Sequence, residues 1–110
     1  MAFDETLAQR VRAHLDARPD VDERRMFGGV AFLVAGNLCA GVYGDELIAR
    51  VGNESAAELL ATEAGVRPCD ITGRPMRAWV LVSPEAIAEE QDLERWLRRA
   101  EAFASSLPPK

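Results

Sequence analysis

Four arginines stand in the sequence where they could bind an anion. Arg24 and Arg25 are adjacent ahead of a glycine pair, and Arg74 and Arg77 lie much further along the chain. Guanidinium groups bind phosphates and carboxylates through paired hydrogen bonds, so these four together would suit a small anionic ligand or a nucleic acid. The alternative is that each arginine is a solvated charge that pairs with acids nearby in the sequence.

The glycine pair Gly28-Gly29 also has two interpretations. Glycine-rich turns cradle phosphates where a helix N-terminus follows, but this pair precedes an apolar segment with the composition of a strand. We therefore expect a bulge or bend in that strand. A bulge would place Phe27 on one face with Val30, Phe32 and Val34, whereas unbroken pairing through the glycines would contradict it.

No set of residues has the composition expected of a catalytic or metal site. His14 is the only histidine, and we expect it beside the apolar stripe of a first helix. Cys39 and Cys69 are isolated, without the spacing of a zinc site, and are expected to be reduced and buried. The sequence thus predicts no enzymatic activity and no cofactor.

The bulk composition is that of one globular domain, residues 1–110. The chain is 48% hydrophobic and 28% charged, with a net charge of −5 at pH 7. This acidic balance argues against direct binding of nucleic acid, which needs a basic surface. No apolar run approaches the ~20 residues of a membrane helix and no signal-peptide pattern opens the chain, so we expect a cytoplasmic protein without membrane contact.

The first half of the chain predicts a helix and three strands. Apolar residues recur every fourth position up to residue 15, and Asp4 suits the N-cap of that helix. A turn is expected from Asp20 to Glu23. Two-residue loops with glycine first, Gly36-Asn37 and Gly44-Asp45, predict tight antiparallel hairpins. The predicted strands are Val30–Ala35, Leu38–Tyr43 and Glu46–Val51.

The second half predicts a short helix, two strands and a long last helix. Ser55 and Glu58 have the spacing of a capping box, and the helix they begin should stop near Gly65. Ser83 and the proline after it should begin the last helix. The predicted strands are Cys69–Ile71 and Met76–Val82. The order α-β-β-β-α-β-β-α predicts an α+β fold, with an antiparallel sheet and helices in two layers.

Both faces of the predicted strands are apolar, and the main functional prediction rests on this observation. Helices in a two-layer fold cover mainly one face, so the other face would expose an unusually large patch. A helix wrapped around the sheet or a second protein would cover it. We expect a protein interface, with another protein or with a second copy in a homodimer. Its apolar residues would be Tyr43, Ile48, Trp79 and Leu81, and its charged rim Arg25, Arg74 and Arg77.

Two segments carry a family resemblance. Arg24-Arg25-Met26-Phe27-Gly28-Gly29 and Gly73-Arg74-Pro75-Met76, in this order, resemble the N-terminal domain of the TfoX/Sxy family, bacterial proteins linked to regulation of natural competence. The resemblance covers the chain from Phe3 to Leu107. It implies a two-layer fold similar to that of secretion chaperones. It also implies a non-enzymatic regulatory role, such as transcriptional co-regulation through another protein.

The same resemblance limits what these segments are expected to do. Their glycines and apolar residues should be a signature of the fold, which leaves the arginines free to act. The signature residues are Met26, Phe27, Gly28, Gly29, Gly73, Pro75 and Met76. The longer competence regulators carry a further C-terminal domain, whereas this sequence ends at Lys110, so we expect only the properties of the N-terminal module to apply. Binding of a small anionic ligand or nucleic acid by the arginines is the alternative function.

Overall fold

Six antiparallel strands form one sheet in the part of the chain that the computed structural model describes, residues 3–26, 28–71, 73 and 76–109. The strands are β1 (Val21–Met26), β2 (Gly29–Val34), β3 (Asn37–Tyr43), β4 (Glu46–Arg50), β5 (Val66–Pro68) and β6 (Trp79–Val82). Their order across the sheet is β1-β2-β3-β4-β6-β5. The helices are α1 (Glu5–Leu15), α2 (Asn53–Thr62) and α3 (Glu90–Ser105), with a short 3-10 helix at Pro84–Ile87. The predicted α+β fold is confirmed, with one more strand than expected.

Strand β1 is the additional element. Its residues are mostly charged and exposed, so they lack the apolar alternation by which strands are recognised. The predicted turn from Asp20 to Glu23 is wrong, because the chain enters the strand at Val21. β1 lies at the edge of the sheet and pairs with β2 along its whole length, which leaves its side chains in contact with solvent.

The glycine pair belongs to a hairpin. Met26 pairs with Gly29, so the chain reverses direction between the end of β1 and the start of β2. Gly28 has a φ of 77° in this turn, a conformation that glycine adopts without strain. The predicted bulge at Gly28-Gly29 is therefore wrong. A register shift lies instead within the β2–β3 pairing, between Phe32 and Leu33.

The next two hairpins follow the glycine signals closely. The β2–β3 loop is Ala35-Gly36, one residue earlier than predicted, and both residues have positive φ (51° and 84°), as a type I′ turn requires. Asn37 is instead the first residue of β3, and its buried Nδ2 donates to the carbonyl oxygen of Pro108 at 2.9 Å. This bond fastens the C-terminal segment to the hairpin. The loop Gly44-Asp45 between β3 and β4 is confirmed.

Helix α2 begins earlier than the sequence indicated. Gly52 is its N-cap and Asn53 its first residue, so Ser55 lies within the first turn. The predicted capping box of Ser55 and Glu58 is wrong, since no side chain caps this helix. The strands that follow also shift, because the described residues of the 69–78 segment lie outside the sheet, between β5 and β6.

The last helical segment is split into two parts. The Ser83 hydroxyl accepts a hydrogen bond from the backbone N–H of Ala86 at 3.4 Å and caps the 3-10 helix. The α-helix itself begins only at Glu90. Its buried side chains, among them Trp96 and Leu97, form the apolar stripe that the sequence predicted.

The main hydrophobic core lies on the face of the sheet covered by the helices. Leu7, Val11 and Leu15 of α1 pack there with the α3 stripe and with Phe32 at the centre of β2. The predicted N-cap of α1 is confirmed, since a carboxylate oxygen of Asp4 accepts from two backbone N–H groups of the first turn. One face of the sheet thus packs against the helices, and the other face carries a separate, smaller cluster.

Candidate functional site

A segment of the chain itself covers part of the second face of the sheet. Ile48 and Leu81 are 1% and 0% exposed, and they pack with the buried Cys69. Ile71 and Met76 pack against the same cluster, in a segment closed by a hydrogen bond from the Met76 N–H to the Cys69 carbonyl at 2.9 Å. Neither a wrapped helix nor a second protein is needed to bury Ile48 and Leu81.

The expected apolar patch is therefore corrected in part. Ile48 and Leu81 are interior residues and present no surface to a partner. Tyr43 and Trp79 are only half-buried, and they lie at the margin of the same cluster. A partner could therefore contact the margin of this face, where the side chains are half-buried, but not its centre.

An apolar groove lies at that margin, between α2 and the segment that covers the sheet. It encloses about 380 Å³. Its lining residues are Asn53, Ala57, Leu60, Pro68, Cys69, Met76, Arg77 and Trp79. We call this the α2 groove. Leu60, Met76 and Trp79 are half-buried, so they offer apolar surface to an occupant.

Two polar side chains stand at the α2 groove. Arg77 is exposed, and no ion pair engages it within the described residues. Asn53 is exposed at the first residue of α2. An apolar cleft with a few polar groups at its edge is the usual chemistry of a binding site, in which the polar groups fix orientation.

The cysteine at the α2 groove is a buried thiol. Burial raises the pKa of the Cys69 thiol, whose Sγ lies 3.7 Å from the Met76 Sδ. Burial also raises the pKa of Cys39, to about 12, inside the main core. Because the thiolate is the reactive species, burial lowers the reactivity of both thiols. Both cysteines are free and buried, as predicted.

The arginines do not form the predicted cluster. Arg24 and Arg25 lie on β1, whereas Arg77 precedes β6, and β2, β3 and β4 lie between those strands. At the usual spacing of neighbouring strands this separation is roughly 19 Å. Arg25 instead lies over the Phe3 ring, 5.4 Å from its centroid. Arg74 is outside the described residues.

The signature residues are also dispersed. Met26 and Gly29 close the β1–β2 hairpin, while Gly73 and Met76 belong to the covering segment on the second face. The two sequence segments therefore serve two separate structural tasks, a hairpin and a cover. Phe27 and Pro75 lie outside the described residues.

Arg50 has a structural role that its place in the sequence does not predict. Its guanidinium carbon lies 5.7 Å from the ring centroid of Trp79 and 5.4 Å from that of Phe103. Its Nη1 donates to the Leu38 carbonyl at 3.3 Å, and its Nε is buried without a hydrogen-bond partner in the described chain. Arg50 thereby links the groove residue Trp79 to α3 through cation–π contacts.

This role has a weak signal in the sequence. A strand-end arginine followed by Val51 and Gly52 does not show which rings it will meet, since Trp79 and Phe103 lie far from it along the chain. Only the pairing of Arg50 with Trp79 across β4 and β6 brings the first contact together.

His14 has a structural role. Its Nε2 lies 2.9 Å from a carboxylate oxygen of Glu90, and Arg10 pairs with the same carboxylate. Arg10 also donates to the carbonyl oxygen of Ile87 at 2.7 Å. These contacts fasten α1 to the beginning of α3, and they hold the pKa of Glu90 below its ordinary value, chiefly through the hydrogen bond with His14.

Within the described residues, no group of three or more histidine, cysteine or acidic side chains is arranged to hold a metal ion. In the same part of the chain, none of the helices combines the length and apolar character needed to cross a membrane.

Comparison with known families gives one match. The model of the family described as the TfoX N-terminal domain matches residues 13–104. These residues include both signature segments, the α2 groove and Arg50. A comparison with curated proteins finds no match.

Proposed function

Because the chain belongs to the TfoX N-terminal domain family, we propose that it is a non-enzymatic regulatory module that acts by binding another protein in the α2 groove. The family supports a module like those of competence regulators. The α2 groove is the surface to which we assign this binding, since it combines apolar walls with Arg77, which has no ion pair among the residues that the structure describes.

The side chains of the α2 groove have the character of a protein-binding surface. Tryptophan and arginine are the residues most often responsible for binding energy at interfaces, and Trp79 and Arg77 are both present here. Met76 adds a flexible, polarisable side chain that adapts to different apolar partners. The cation–π contact with Arg50 restrains Trp79, so less conformational freedom is lost on binding.

The charge at the α2 groove defines the occupant. Arg77 suits an acidic residue, and the apolar walls suit aliphatic or aromatic side chains. We therefore assign the groove to a short apolar segment of a partner protein that carries a neighbouring aspartate or glutamate. The net charge of −5 repels an acidic partner at long range, but salt screens this repulsion. Arg77 would therefore form its ion pair only once the partner is in contact.

A regulatory role through protein contact is consistent with these features. The acidic chain and the separation of its arginines both argue against direct contact with nucleic acid. Co-regulation of transcription would then proceed through a protein that itself contacts DNA.

Peptide selection with a matched pair of variants tests this function. Peptides selected from a random display library on the folded domain should combine two or more apolar residues with an adjacent acid. Ala57→Arg places a long side chain in the α2 groove and should weaken their binding at least tenfold, because Ala57 is an exposed lining residue. Ala102→Arg makes the same change on an exposed position of α3, which covers the other face of the sheet, and should bind normally.

Two outcomes would contradict the proposal. One is a selection that enriches no peptide on the wild-type domain. The other is a set of peptides that bind the Ala57→Arg and Ala102→Arg variants equally well, which would place the binding surface elsewhere.

A further inference from the structure

The outer side of strand β1 is a template for another strand. β1 ends the sheet, and all six of its residues pair inward with β2. Asp22, Glu23, Arg24 and Arg25 are all exposed. Within the described residues no strand pairs with this outer side, and an exposed strand edge is a template for pairing with another strand.

The backbone groups that face outward can be identified. The Asp20 carbonyl accepts from the Ala35 N–H at 2.9 Å, so the residue pair that precedes β1 is hydrogen-bonded towards β2. Hydrogen-bonded and non-bonded pairs alternate along an antiparallel ladder. Val21, Glu23 and Arg25 therefore direct their N–H and carbonyl groups away from β2.

The opposite edge of the sheet is blocked. β5 has three residues, and Pro68 at its end has no N–H to donate. Pairing between β1 of one molecule and β5 of another is thus disfavoured, and with it an open chain of molecules. Pairing of β1 with its own copy closes after two molecules, as a two-fold symmetric interface does.

We propose that two copies of this chain form a homodimer by antiparallel pairing of their β1 strands, centred on Glu23. The two sheets then become one continuous sheet. This surface lies at the edge of the sheet farthest from β5 and β6, away from the α2 groove, so the homodimer does not depend on the proposed function.

Symmetry restricts the register of such a pairing. Directly opposed residues of an antiparallel pair lie on the same face of the sheet. Asp22 and Arg24 share one face and Glu23 and Arg25 the other, since side chains alternate along a strand. A two-fold pairing must therefore be centred on a residue, and Glu23 and Arg24 are the central candidates.

The charges select Glu23. With Glu23 at the centre, Asp22 of each copy faces Arg24 of the other. Within the described residues neither Asp22 nor Arg24 has an ion-pair partner, so both are available. This register also sets each outward-facing residue opposite another: Glu23 faces its copy, and Val21 faces Arg25.

The like charges at the centre are already compensated. Arg12 of α1 donates to both carboxylate oxygens of Glu23, at 2.7 and 2.9 Å, and its hydrogen bond holds the pKa of Glu23 below the ordinary value. Centring on Arg24 would also set Glu23 opposite Arg25, but it would oppose two copies of Arg24, which has no ion pair in the described chain. Charged side chains hinder pairing at a strand edge, but in this register the opposite charges of Asp22 and Arg24 face each other across the two copies.

Charge reversal tests the homodimer through its own symmetry. Sedimentation velocity of the wild type over a range of concentrations should show a monomer–dimer equilibrium that weakens with added salt. Asp22→Arg leaves only basic side chains on the shared face, and Arg24→Asp leaves only acidic ones. Each variant should dimerise at least tenfold more weakly than the wild type. Asp45→Arg, in the exposed β3–β4 loop, should dimerise normally.

Mixing the two variants gives the decisive result. In an equimolar mixture of Asp22→Arg and Arg24→Asp, opposite charges face each other at both positions, so a heterodimer should form although neither variant dimerises well alone. The doubly substituted chain should also recover self-association. A wild type that stays monomeric at millimolar concentration, or a mixture that fails to associate, would overturn the proposal, and circular dichroism confirms that each variant is folded.

Discussion

Gly52 joins β4 to α2 in a backbone conformation that glycine alone adopts readily. Its φ is 93° and its ψ 158°. A Cβ atom at this position would lie 2.9 Å from the Phe103 ring, so the missing side chain also lets the ring approach. Phe103 in turn faces Arg50, which contacts Trp79 at the α2 groove. One glycine therefore shapes the support behind the candidate site.

Replacement of Gly52 by alanine tests how much of the stability cost comes from the close approach of the Phe103 ring and how much from backbone strain. Gly52→Ala should lower the free energy of unfolding by about 3 kcal/mol, since it adds a clash to an unfavourable backbone conformation. Gly44→Ala is the matched control, because Gly44 has a φ of 60° and a Cβ atom added there would meet nothing within 4 Å. This control should cost about 1 kcal/mol, the strain of a left-handed alanine alone. Denaturant unfolding of both variants measures the difference.

The clash can be checked in a second background. In a Phe103→Leu protein the cost of Gly52→Ala should fall, because the flexible leucine can move away, while the cost of Gly44→Ala should stay the same. Equal costs for the two glycines in the wild-type background would show that Phe103 does not restrict this position.

Among the helices and strands, the ones that could be predicted from the sequence are those determined by signals a few residues apart. Helix α1 and the β3–β4 hairpin were predicted correctly because an N-cap, an apolar period and a glycine turn act within a few residues. Strand β1 was missed because its pairing with β2, and not its composition, makes it a strand. The arginine cluster was wrong for the same kind of reason, since the strand order separates β1 from β6.

The contact between α1 and α3 predicts a response to acid. The pKa of Glu90 is lowered by its hydrogen bonds to His14 and Arg10. Its contribution to stability is fully present above the ordinary value of 4.5 and is lost as the pH falls through the lower native pKa. Glu90→Gln should therefore destabilise the protein at neutral pH, and the difference from the wild type should shrink below a pH of about 4.5. Chemical unfolding from neutral pH down to about pH 3 measures this difference.

A neighbouring substitution provides the comparison for Glu90. Glu85 is exposed on the 3-10 helix and forms no ion pair in the described part of the chain. The free energy of unfolding of Glu85→Gln should differ from that of the wild type by the same amount over the whole pH range. If the difference in free energy of unfolding between Glu90→Gln and the wild type stayed constant down to the acid end of that range, the Glu90 carboxylate would not contribute to the pH dependence of stability.

At the scale of the whole molecule, the two faces of the sheet are protected to different degrees. The main core is closed by helices α1 and α3, whereas the smaller cluster is closed by the 69–78 segment, whose described residues form no helix or strand. The sequence indicated that the second face needed a cover but not which segment supplied it, because the cover has no periodic pattern of its own. A loop segment opens at lower free energy than the strands and helices of a core do.

The two cysteines report these two openings separately. Cys69 is the first residue of the covering segment, with its side chain in the smaller cluster, whereas Cys39 lies in the main core, and both are buried. Local opening of the 69–78 segment should expose Cys69 while Cys39 stays protected until the whole domain unfolds. A thiol reagent should therefore modify Cys69 first, at a rate that depends weakly on denaturant, and Cys39 at a rate with the full denaturant dependence of global unfolding. Peptide mapping by mass spectrometry distinguishes the sites, and equal rates at both cysteines would show that the cover and the core unfold as one unit.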